Sequence, residues 1–325
     1  MKNNQIGIIG VGYWGTNIVN VLQKIGIKNI YCYDKISNNL KEIKKKFPKV
    51  KIENNYRKFL KYNFDGIIIA VDTNSHFQIA KDCLNNGFNI FVEKPVTNSL
   101  KKLKFLDKLA KAKNLFIMSG YVYFYNDYIK YIKKILKKKY LGKIYYVSCE
   151  RLNLGPVRND VNSAWDLSSH DIAICKYLFD KNLSIKNIYG YDFLKKDIYD
   201  ISSISGTIDQ MKFDIKSSWL NPEKIRKIII VGKKKMLLFN ELDFNSPIKI
   251  YNKYANYPKI NNFKKNFFTQ KANIYFGTTF VPKIKFSSPL ENEMKEFLKC
   301  LYNNKIPLTS SKISIEIMKT LEKLK

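Results

Sequence analysis

Three glycines near the start of the chain have the spacing of a turn that binds phosphate groups. They follow a short apolar run in the segment IGIIGVGYWG, residues 6–15, and match the pattern G-x-G-x-x-G. In such a turn the first glycine allows a tight bend, the second lets the backbone approach a pyrophosphate, and the third lets the next helix pack on the strand. That helix, expected over residues 14–25, points free N–H groups at the phosphates. The segment predicts a dinucleotide site with contacts from Gly10, Gly12, Tyr13, Trp14 and Gly15.

An acidic residue follows at the position where a carboxylate for the adenosine ribose is expected. The second predicted strand, residues 29–33, ends at Asp34, which lies 19 residues after Gly15. A carboxylate repels a 2′-phosphate, so this residue favours NAD over NADP. The alternative is that Asp34 is a solvated turn residue, and the neighbouring Lys35 weakens the argument for NAD over NADP.

Three further residues have the chemistry for proton transfer. Asp166 and His170 are four apart in a predicted helix over residues 166–179, so they share a face, and the carboxylate can orient the imidazole and stabilise its charged form. Lys94 follows a predicted parallel strand at the end where ligands of such sheets bind, and its ammonium group can polarise a reacting oxygen. The alternatives are a structural histidine, an ordinary helix ion pair and a surface lysine.

The elements that position these residues indicate an α/β protein with two domains. Strands alternate with helices up to about residue 120, which predicts a parallel Rossmann sheet in an NAD-binding domain, residues 1–121. Residues 122–325 are expected to form a substrate and oligomerisation domain with an open, mostly antiparallel sheet. Its six predicted strands cover residues 144–149, 201–208, 212–219, 225–231, 236–239 and 248–251. Residues 252–279 read as a loop, and two amphipathic helices are expected over residues 290–302 and 311–324.

Composition narrows the classes of protein. The net charge is +31, yet only four of the 58 basic residues are arginine, which indicates a lysine-coated surface and disfavours nucleic acid as a partner. No apolar run approaches a membrane span and no signal-like segment begins the chain, so a cytoplasmic protein without a membrane partner is expected. The five cysteines are scattered and are expected to be buried hydrophobes, and with only two histidines no metal site is expected.

Several short motifs together resemble the Gfo/Idh/MocA family of nicotinamide-dependent sugar oxidoreductases. The chain departs from the family at Asp72, where proline is usual, and at Tyr121, where histidine is frequent. The matching segments are residues 10–15 (GVGYWG), 70–76 (AVDTNSH), 93–95 (EKP), 120 with 124–126 (G and FYN), 141–143 (LGK) and 166–170 (DLSSH).

The resemblance implies hydride transfer between NAD(P) and a sugar hydroxyl or carbonyl. It assigns catalytic roles to Lys94, Asp166 and His170, and it extends the cofactor site to Thr73, His76, Glu93 and Lys94. For His76, a hydrogen bond at the helix end is an equally good interpretation. The substrate-binding candidates implied by the matches, or by the polar loop over residues 151–165, are Tyr121, Asn126, Arg151, Asn153, Arg158 and Trp165. Arg151 has the alternative of a structural ion pair.

The leading hypothesis is an NAD-dependent dehydrogenase of a sugar or nucleotide sugar in surface-polysaccharide or amino-sugar biosynthesis. One alternative is a catabolic inositol or free-sugar dehydrogenase, and another is a non-catalytic regulator that binds the cofactor. The exposed face of an open sheet predicts a homo-oligomer, either a dimer or a tetramer.

Overall fold

The computed structural model describes residues 5–159, 161–256 and 272–324. Contacts divide the chain into two compact units. The first comprises Met1–Asn126 and Ser287–Glu322, and the second comprises Asp127–Phe286 and Lys323–Lys325. Every helix in the described chain is too short or too polar to span a lipid bilayer.

The first unit contains a six-stranded sheet in the order β3-β2-β1-β4-β5-β6, with all strand pairs parallel. Its central strands read IGII and GIII, and they are buried because helices cover both faces. The predicted Rossmann sheet is confirmed. The elements are β1 (Gln5–Ile9), α1 (Tyr13–Lys24), β2 (Asn29–Tyr33), α2 (Ser37–Lys46), β3 (Lys51–Ile52), α3 (Tyr56–Phe59), β4 (Gly66–Ile69), α4 (Thr73–Asn85), β5 (Ile90–Val92), α5 (Leu100–Ala112), β6 (Ile117–Ser119) and a 3₁₀ helix (Val122–Tyr125).

The second unit contains an eight-stranded sheet in the order β14-β13-β12-β11-β7-β10-β9-β8. Among the described strand pairs, β7 and β10 are parallel and the others antiparallel, so the mostly antiparallel sheet is confirmed. The elements are α6 (Asp127–Lys137), β7 (Ile144–Leu154), α7 (Ser163–Asp166), α8 (Ser168–Phe179), β8 (Leu183–Tyr191), β9 (Ile201–Ile208), β10 (Met211–Ser218), β11 (Leu220–Gly232), β12 (Met236–Asn240), β13 (Ile248–Asn256) and β14 (Asn273–Phe280).

Two strands of this sheet were not predicted, and both lie at its edges. The interpretation of residues 252–279 as loop is wrong for the described part, because β13 continues to Asn256 and β14 begins at Asn273, while residues 257–271 lie outside the described residues. The side chains of β14 are almost all exposed, and those of β8 are mostly exposed. Such strands lack the alternation of buried and exposed residues that marks a strand in the sequence.

The C-terminal helices, α9 (Pro289–Asn303) and α10 (Ser311–Leu321), belong to the first unit, whereas the sequence assigned them to the second domain. Phe297 of α9 packs edge-on against Phe91 of β5 at 6.0 Å between ring centroids. At β6, Ser119 N donates to Thr309 O at 2.8 Å. The helices therefore complete the core beside β5 and β6. The sequence pattern could not assign these helices to the first unit, because the assignment depends on contacts between residues that lie about 200 positions apart along the chain.

Candidate functional site

The glycine turn after β1 packs backbone against backbone. Gly10 has a positive φ of 91°, and a Cβ there would lie 2.5 Å from Ala70 O at the end of β4. A side chain at Gly15 would meet Gly10 O, so α1 approaches the turn only because residue 15 is glycine. Gly12 faces open space: among the described residues, no atom lies within 4 Å of where its Cβ would be. The turn thus leaves the room that a backbone-bound diphosphate requires.

The first turn of α1 suits an anion. In the described chain no side chain caps this helix, and its first turn contains no acidic residue. Tyr13 and Trp14 are 80% and 52% exposed, so these two predicted cofactor contacts stand in solvent beside the turn. The uncapped N–H groups and the positive end of the helix dipole fit a pyrophosphate.

Asp34, at the end of β2, is a 9% exposed carboxylate with three hydrogen bonds. Its Oδ2 accepts from Val11 N at 2.9 Å and Asn39 Nδ2 at 3.0 Å, and its Oδ1 accepts from Ile36 N at 2.8 Å. A carboxylate has about four acceptor positions, so one remains on Oδ1 for a ribose hydroxyl. Asp34 therefore also fastens the glycine turn, a role that its spacing alone did not show.

A cavity of about 500 Å³ opens beside these residues. Gly10, Gly12 and Asp34 line it together with Lys35 and Asp72. Asp72 caps α4 by accepting from Ser75 N at 3.1 Å, and the predicted contact Thr73 is the first residue of that helix. The size and position of the cavity fit the adenosine half of a dinucleotide. Together with the open side of Gly12, the uncapped N-terminus of α1 and the carboxylate of Asp34, it fits the whole cofactor.

His76 joins two turns of the first unit. Its Nδ1 lies 2.8 Å from Pro95 O and its Nε2 lies 3.1 Å from Val71 O. The residue is 1% exposed, and burial lowers the pKa of its imidazole although the two carbonyls act in the opposite direction. A neutral ring donates to only one of them. The contacts agree with the interpretation of His76 as a helix-end hydrogen bonder, here one that holds the turn containing Lys94.

Glu93 and Lys94 follow β5. Lys94 N donates to Glu93 Oε2 at 3.2 Å, and the Lys94 side chain is half-buried. A Cβ at Gly120 would lie 2.7 Å from the same oxygen, so the absence of a side chain at the end of β6 makes room for the carboxyl group. Burial raises the pKa of Glu93 to about 7, although the Lys94 N–H and ammonium lower it. The charge on Glu93 therefore changes near neutral pH.

A second carboxyl, Glu293 on α9, is 1% exposed, and its Oε1 has no hydrogen-bond partner among the described residues. Burial, and then the negative charge of Glu93, raise the pKa of Glu293 well above its usual value. The buried site therefore favours the neutral, protonated form of Glu293. The sequence analysis missed it, although a signal exists: it shares the apolar face of α9 with Phe297 and Cys300, at spacings of four and seven residues.

We expect Glu293→Gln to stabilise the protein increasingly as the pH rises. Below the usual carboxyl pKa, residue 293 is protonated in both the folded and the unfolded chain. Above it, the carboxyl group ionises in the unfolded chain but not in the folded one, because burial raises the pKa of folded Glu293. The wild type therefore loses stability as the pH rises. The gain in the free energy of unfolding should grow by about 1.4 kcal/mol for each pH unit over which the unfolded chain is ionised and folded Glu293 is not. Urea denaturation at pH 5 and pH 8 measures it.

Glu291→Gln is the matched control on the same helix. Glu291 pairs with Lys295 and Lys24 at 2.7 and 3.2 Å, and these bonds lower the pKa of its carboxyl group. Its contribution to stability is present above the usual carboxyl pKa and is lost as the pH falls, which is the opposite sign. Equal or lower stability of Glu293→Gln than of wild type at pH 8 would contradict the neutral-acid assignment.

In the second unit, the predicted helix over residues 166–179 is two helices. Asp166 ends α7, and His170 lies in the first turn of α8, where its N–H donates to Leu167 O at 3.2 Å. The carboxylate of Asp166 faces Trp219 Nε1, which donates to Oδ2 at 3.3 Å, and Arg158 Nη1, which lies 3.6 Å from Oδ1. Trp219 was not predicted, because no spacing links it to Asp166.

Buried serines fasten α7 and α8 to the sheet. Ser163 Oγ lies 2.6 Å from Ser202 Oγ of β9, which lies 2.9 Å from Ser217 Oγ of β10, and Ser168 Oγ donates to Ser217 Oγ at 3.0 Å. All four side chains are at most 1% exposed. Hydroxyls that satisfy one another are a low-cost way to bury polar groups, so the chain of serines fixes the backbone on both sides of Asp166.

Two predicted substrate contacts have structural partners. Arg151, 5% exposed, forms a two-point ion pair with Asp171, from Nε to Oδ2 at 2.9 Å and from Nη2 to Oδ1 at 2.8 Å. This favours the structural ion pair that the sequence analysis kept as the alternative for Arg151. Asn153 Oδ1 accepts from Arg226 Nη2 at 3.0 Å. Arg226 was missed because nothing in its surroundings along the chain marks it.

The remaining predicted substrate contacts are mostly buried. Tyr121, Asn126 and Trp165 are 5%, 3% and 8% exposed. The Tyr121 ring lies 6.1 Å from that of Phe124, and burial raises the pKa of its hydroxyl group. The side chain of Arg158 is 40% exposed. Among the described residues of the second unit, it is the most accessible of the predicted substrate contacts.

Comparison with known proteins identifies the first part of the chain. Residues 4–121 match the GFO_IDH_MocA family model, described as an oxidoreductase family with an NAD-binding Rossmann fold. The match covers the six-stranded parallel sheet and ends before the second unit. A curated relative, myo-inositol 2-dehydrogenase of Thermotoga maritima, is 21% identical over 181 residues, 54% of each chain. The chain therefore spans about half the length of this relative.

Solved structures extend the likeness to both units at the level of the fold. UDP-N-acetylglucosamine 3-dehydrogenase GnnA from Acidithiobacillus ferrooxidans has a TM-score of 0.81 and 17% identity, covering 98% of this chain and 95% of the other. A mutant of KijD10, a 3-ketoreductase from Actinomadura kijaniata in complex with TDP-benzene and NADP, has a TM-score of 0.77 and 13% identity, covering 98% and 96%. At these identities the likeness shows the fold alone, and it covers both units.

Proposed function

We propose that the chain is an NAD-dependent oxidoreductase that transfers a hydride between nicotinamide and a secondary hydroxyl or carbonyl of a sugar or nucleotide sugar. The observation that carries this is the glycine turn, whose open side at Gly12, uncapped helix and neighbouring Asp34 fit a dinucleotide. The match of residues 4–121 to an oxidoreductase family model supports the same activity.

We propose a preference for NAD over NADP. Asp34 carries its negative charge at the adenosine cavity and keeps one acceptor position on Oδ1 for a ribose hydroxyl. A 2′-phosphate would bring about two further negative charges to the same place. The structure of KijD10 contains NADP, so the affinities of this chain for NAD and for NADP should both be measured.

The chain's own residues are proposed to handle the proton. Bound nicotinamide supplies the hydride acceptor at its C4 atom. His170 accepts the proton of the substrate hydroxyl at a ring nitrogen, and in the reverse direction returns it to the alkoxide. Lys94 donates a hydrogen bond to the reacting oxygen and so stabilises the negative charge that develops there. Asp166 stabilises the protonated imidazole, and Trp219 and Arg158 limit the positions its carboxylate can adopt.

The substrate is proposed to carry an anionic group, as a nucleotide sugar does. Arg158 is one of four arginines among 58 basic residues, and its side chain is exposed. Its planar guanidinium group can form two parallel hydrogen bonds with a carboxylate or phosphate, which a lysine cannot do. The names of GnnA and KijD10 support this class, in surface-polysaccharide or amino-sugar synthesis. The second candidate is an inositol dehydrogenase, favoured by the name of the Thermotoga maritima relative.

We also propose a cytoplasmic homo-oligomer, either a dimer or a tetramer. The outer face of the sheet in the second unit carries Ile229, which is 38% exposed, with Leu238 opposite it on β12, and an apolar sheet face of this kind is a typical interface. All five cysteines are free and buried, as expected for small core residues and as suits a reducing compartment.

The activity is tested by NADH production with a panel of nucleotide sugars, uronic acids and neutral polyols. With the best substrate, we expect His170→Ala and Lys94→Ala each to lower turnover by about 10²-fold or more, because they act in proton transfer and charge stabilisation. The affinity for NADH, measured by fluorescence titration, should stay nearly unchanged.

Asp180→Asn, an exposed carboxylate after α8 that pairs with Lys133, is the control and should keep wild-type turnover. Full activity of His170→Ala would remove the proposed base. Binding of NADH without turnover of any substrate in the panel would favour the regulator instead.

The two arginines of the polar loop should respond differently to replacement by lysine. We expect Arg158→Lys to raise KM for an anionic substrate roughly tenfold with unchanged Tm, as for the loss of one charge-assisted bond. A fall in kcat without a change in KM would instead mean that Arg158 acts by holding Asp166. Arg151→Lys breaks the buried two-point pair with Asp171 and should lower Tm. Wild-type turnover of a neutral polyol as efficient as that of any anionic sugar, with Arg158→Lys indistinguishable from wild type, would contradict an anionic substrate.

A further inference from the structure

Three charged residues line the adenosine cavity in the described chain, and their arrangement bears on cofactor choice. They are Asp34, Lys35 and Asp72. Lys35 directly follows the ribose-binding position, where a lysine is able to receive a 2′-phosphate. Its Nζ, however, lies 3.7 Å from Asp72 Oδ2, across the cavity at the end of β4.

Asp72 is held in place independently of Lys35. Ser75 Oγ donates to Asp72 Oδ2 at 2.7 Å, and Ser75 N donates to Oδ1 at 3.1 Å, because Asp72 caps α4. The hydrogen bond from Ser75 Oγ is the main reason that the pKa of Asp72 lies below its usual value. Asp72 is thus a fixed anion at neutral pH, and the flexible lysine is the partner that moves to it.

Resting on the proposed use of NAD, we infer that Asp72 denies Lys35 to a 2′-phosphate and so strengthens the preference for NAD over NADP that Asp34 sets. The two aspartates and one lysine give the cavity a net charge of −1. A phosphate group of almost two negative charges is repelled there, whereas the ribose hydroxyl of NAD is not. Removing the charge of Asp72 makes the cavity neutral and frees the ammonium group.

The test is a double-mutant cycle read by binding, without substrate. Asp72→Asn removes the charge and keeps a good helix cap. We expect it to tighten NADPH about three- to tenfold and to leave NADH within about twofold, the range for charges that solvent partly screens. Lys35→Ala should change neither Kd appreciably in the wild type, where Asp72 engages the lysine, but should abolish the NADPH gain in the Asp72→Asn background.

Two controls separate this effect from others. Glu42→Gln, an exposed change on α2 outside the cavity, has the same effect on net charge and should move neither Kd. The NADPH gain should also shrink in high salt, since both side chains of the pair are more than half exposed.

The outcomes distinguish the inference from the function on which it rests. If Asp72→Asn changes NADH and NADPH equally, or if its NADPH gain survives in the double mutant, the role of Asp72 is wrong while the cofactor assignment stands. If neither wild type nor any variant binds NADH or NADPH, the dinucleotide site itself is wrong.

Discussion

The first unit depends on a close approach of backbone to backbone at the glycine turn. Gly10 lies against the Ala70 carbonyl of the next strand, and Gly15 lies against the carbonyl of Gly10 itself. Any side chain at either position would push α1 away from the sheet. The position of the helix N-terminus, and with it the direction of the N–H groups that can receive a diphosphate, follows from this contact. Asp34 then secures the turn through Val11 N.

Buried charge is handled in two opposite ways. In the second unit, Arg151 and Asp171 form a two-point ion pair, so each of the two buried groups has a partner of opposite charge. In the first unit, Oε1 of Glu293 has no hydrogen-bond partner among the described residues, and burial raises the pKa of this carboxyl group, which favours its neutral form. Glu93, partly buried beside Lys94, lies between these cases, with a pKa of about 7. An acid of this kind next to a proposed catalytic ammonium makes the local charge sensitive to pH over the range in which the protein works.

The sequence predicted what depends on neighbouring residues. The parallel sheet was recognisable because its strands are short apolar runs, and the glycine turn because its spacing is local. Both edge strands, β8 and β14, were missed since their exposed side chains leave no periodic pattern. Around Asp166 the sequence placed Arg158 correctly in a nearby loop, yet Trp219 comes from a strand end 53 residues away. The ion pair of Arg151 depends on how α8 packs against β7, which no spacing rule contains.

The return of the chain to its first unit has a consequence for synthesis on the ribosome. Helices α9 and α10 pack beside β5 and β6, and they leave the ribosome only after the whole second unit has been made. Until then Phe91 lacks the contact with Phe297, and Ser119 N lacks the acceptor at Thr309. The nascent Rossmann sheet must therefore wait with one flank uncovered for roughly half the time of translation. The synthesis of the cofactor-binding unit therefore begins before residues 127–286 of the second unit are made and continues after them.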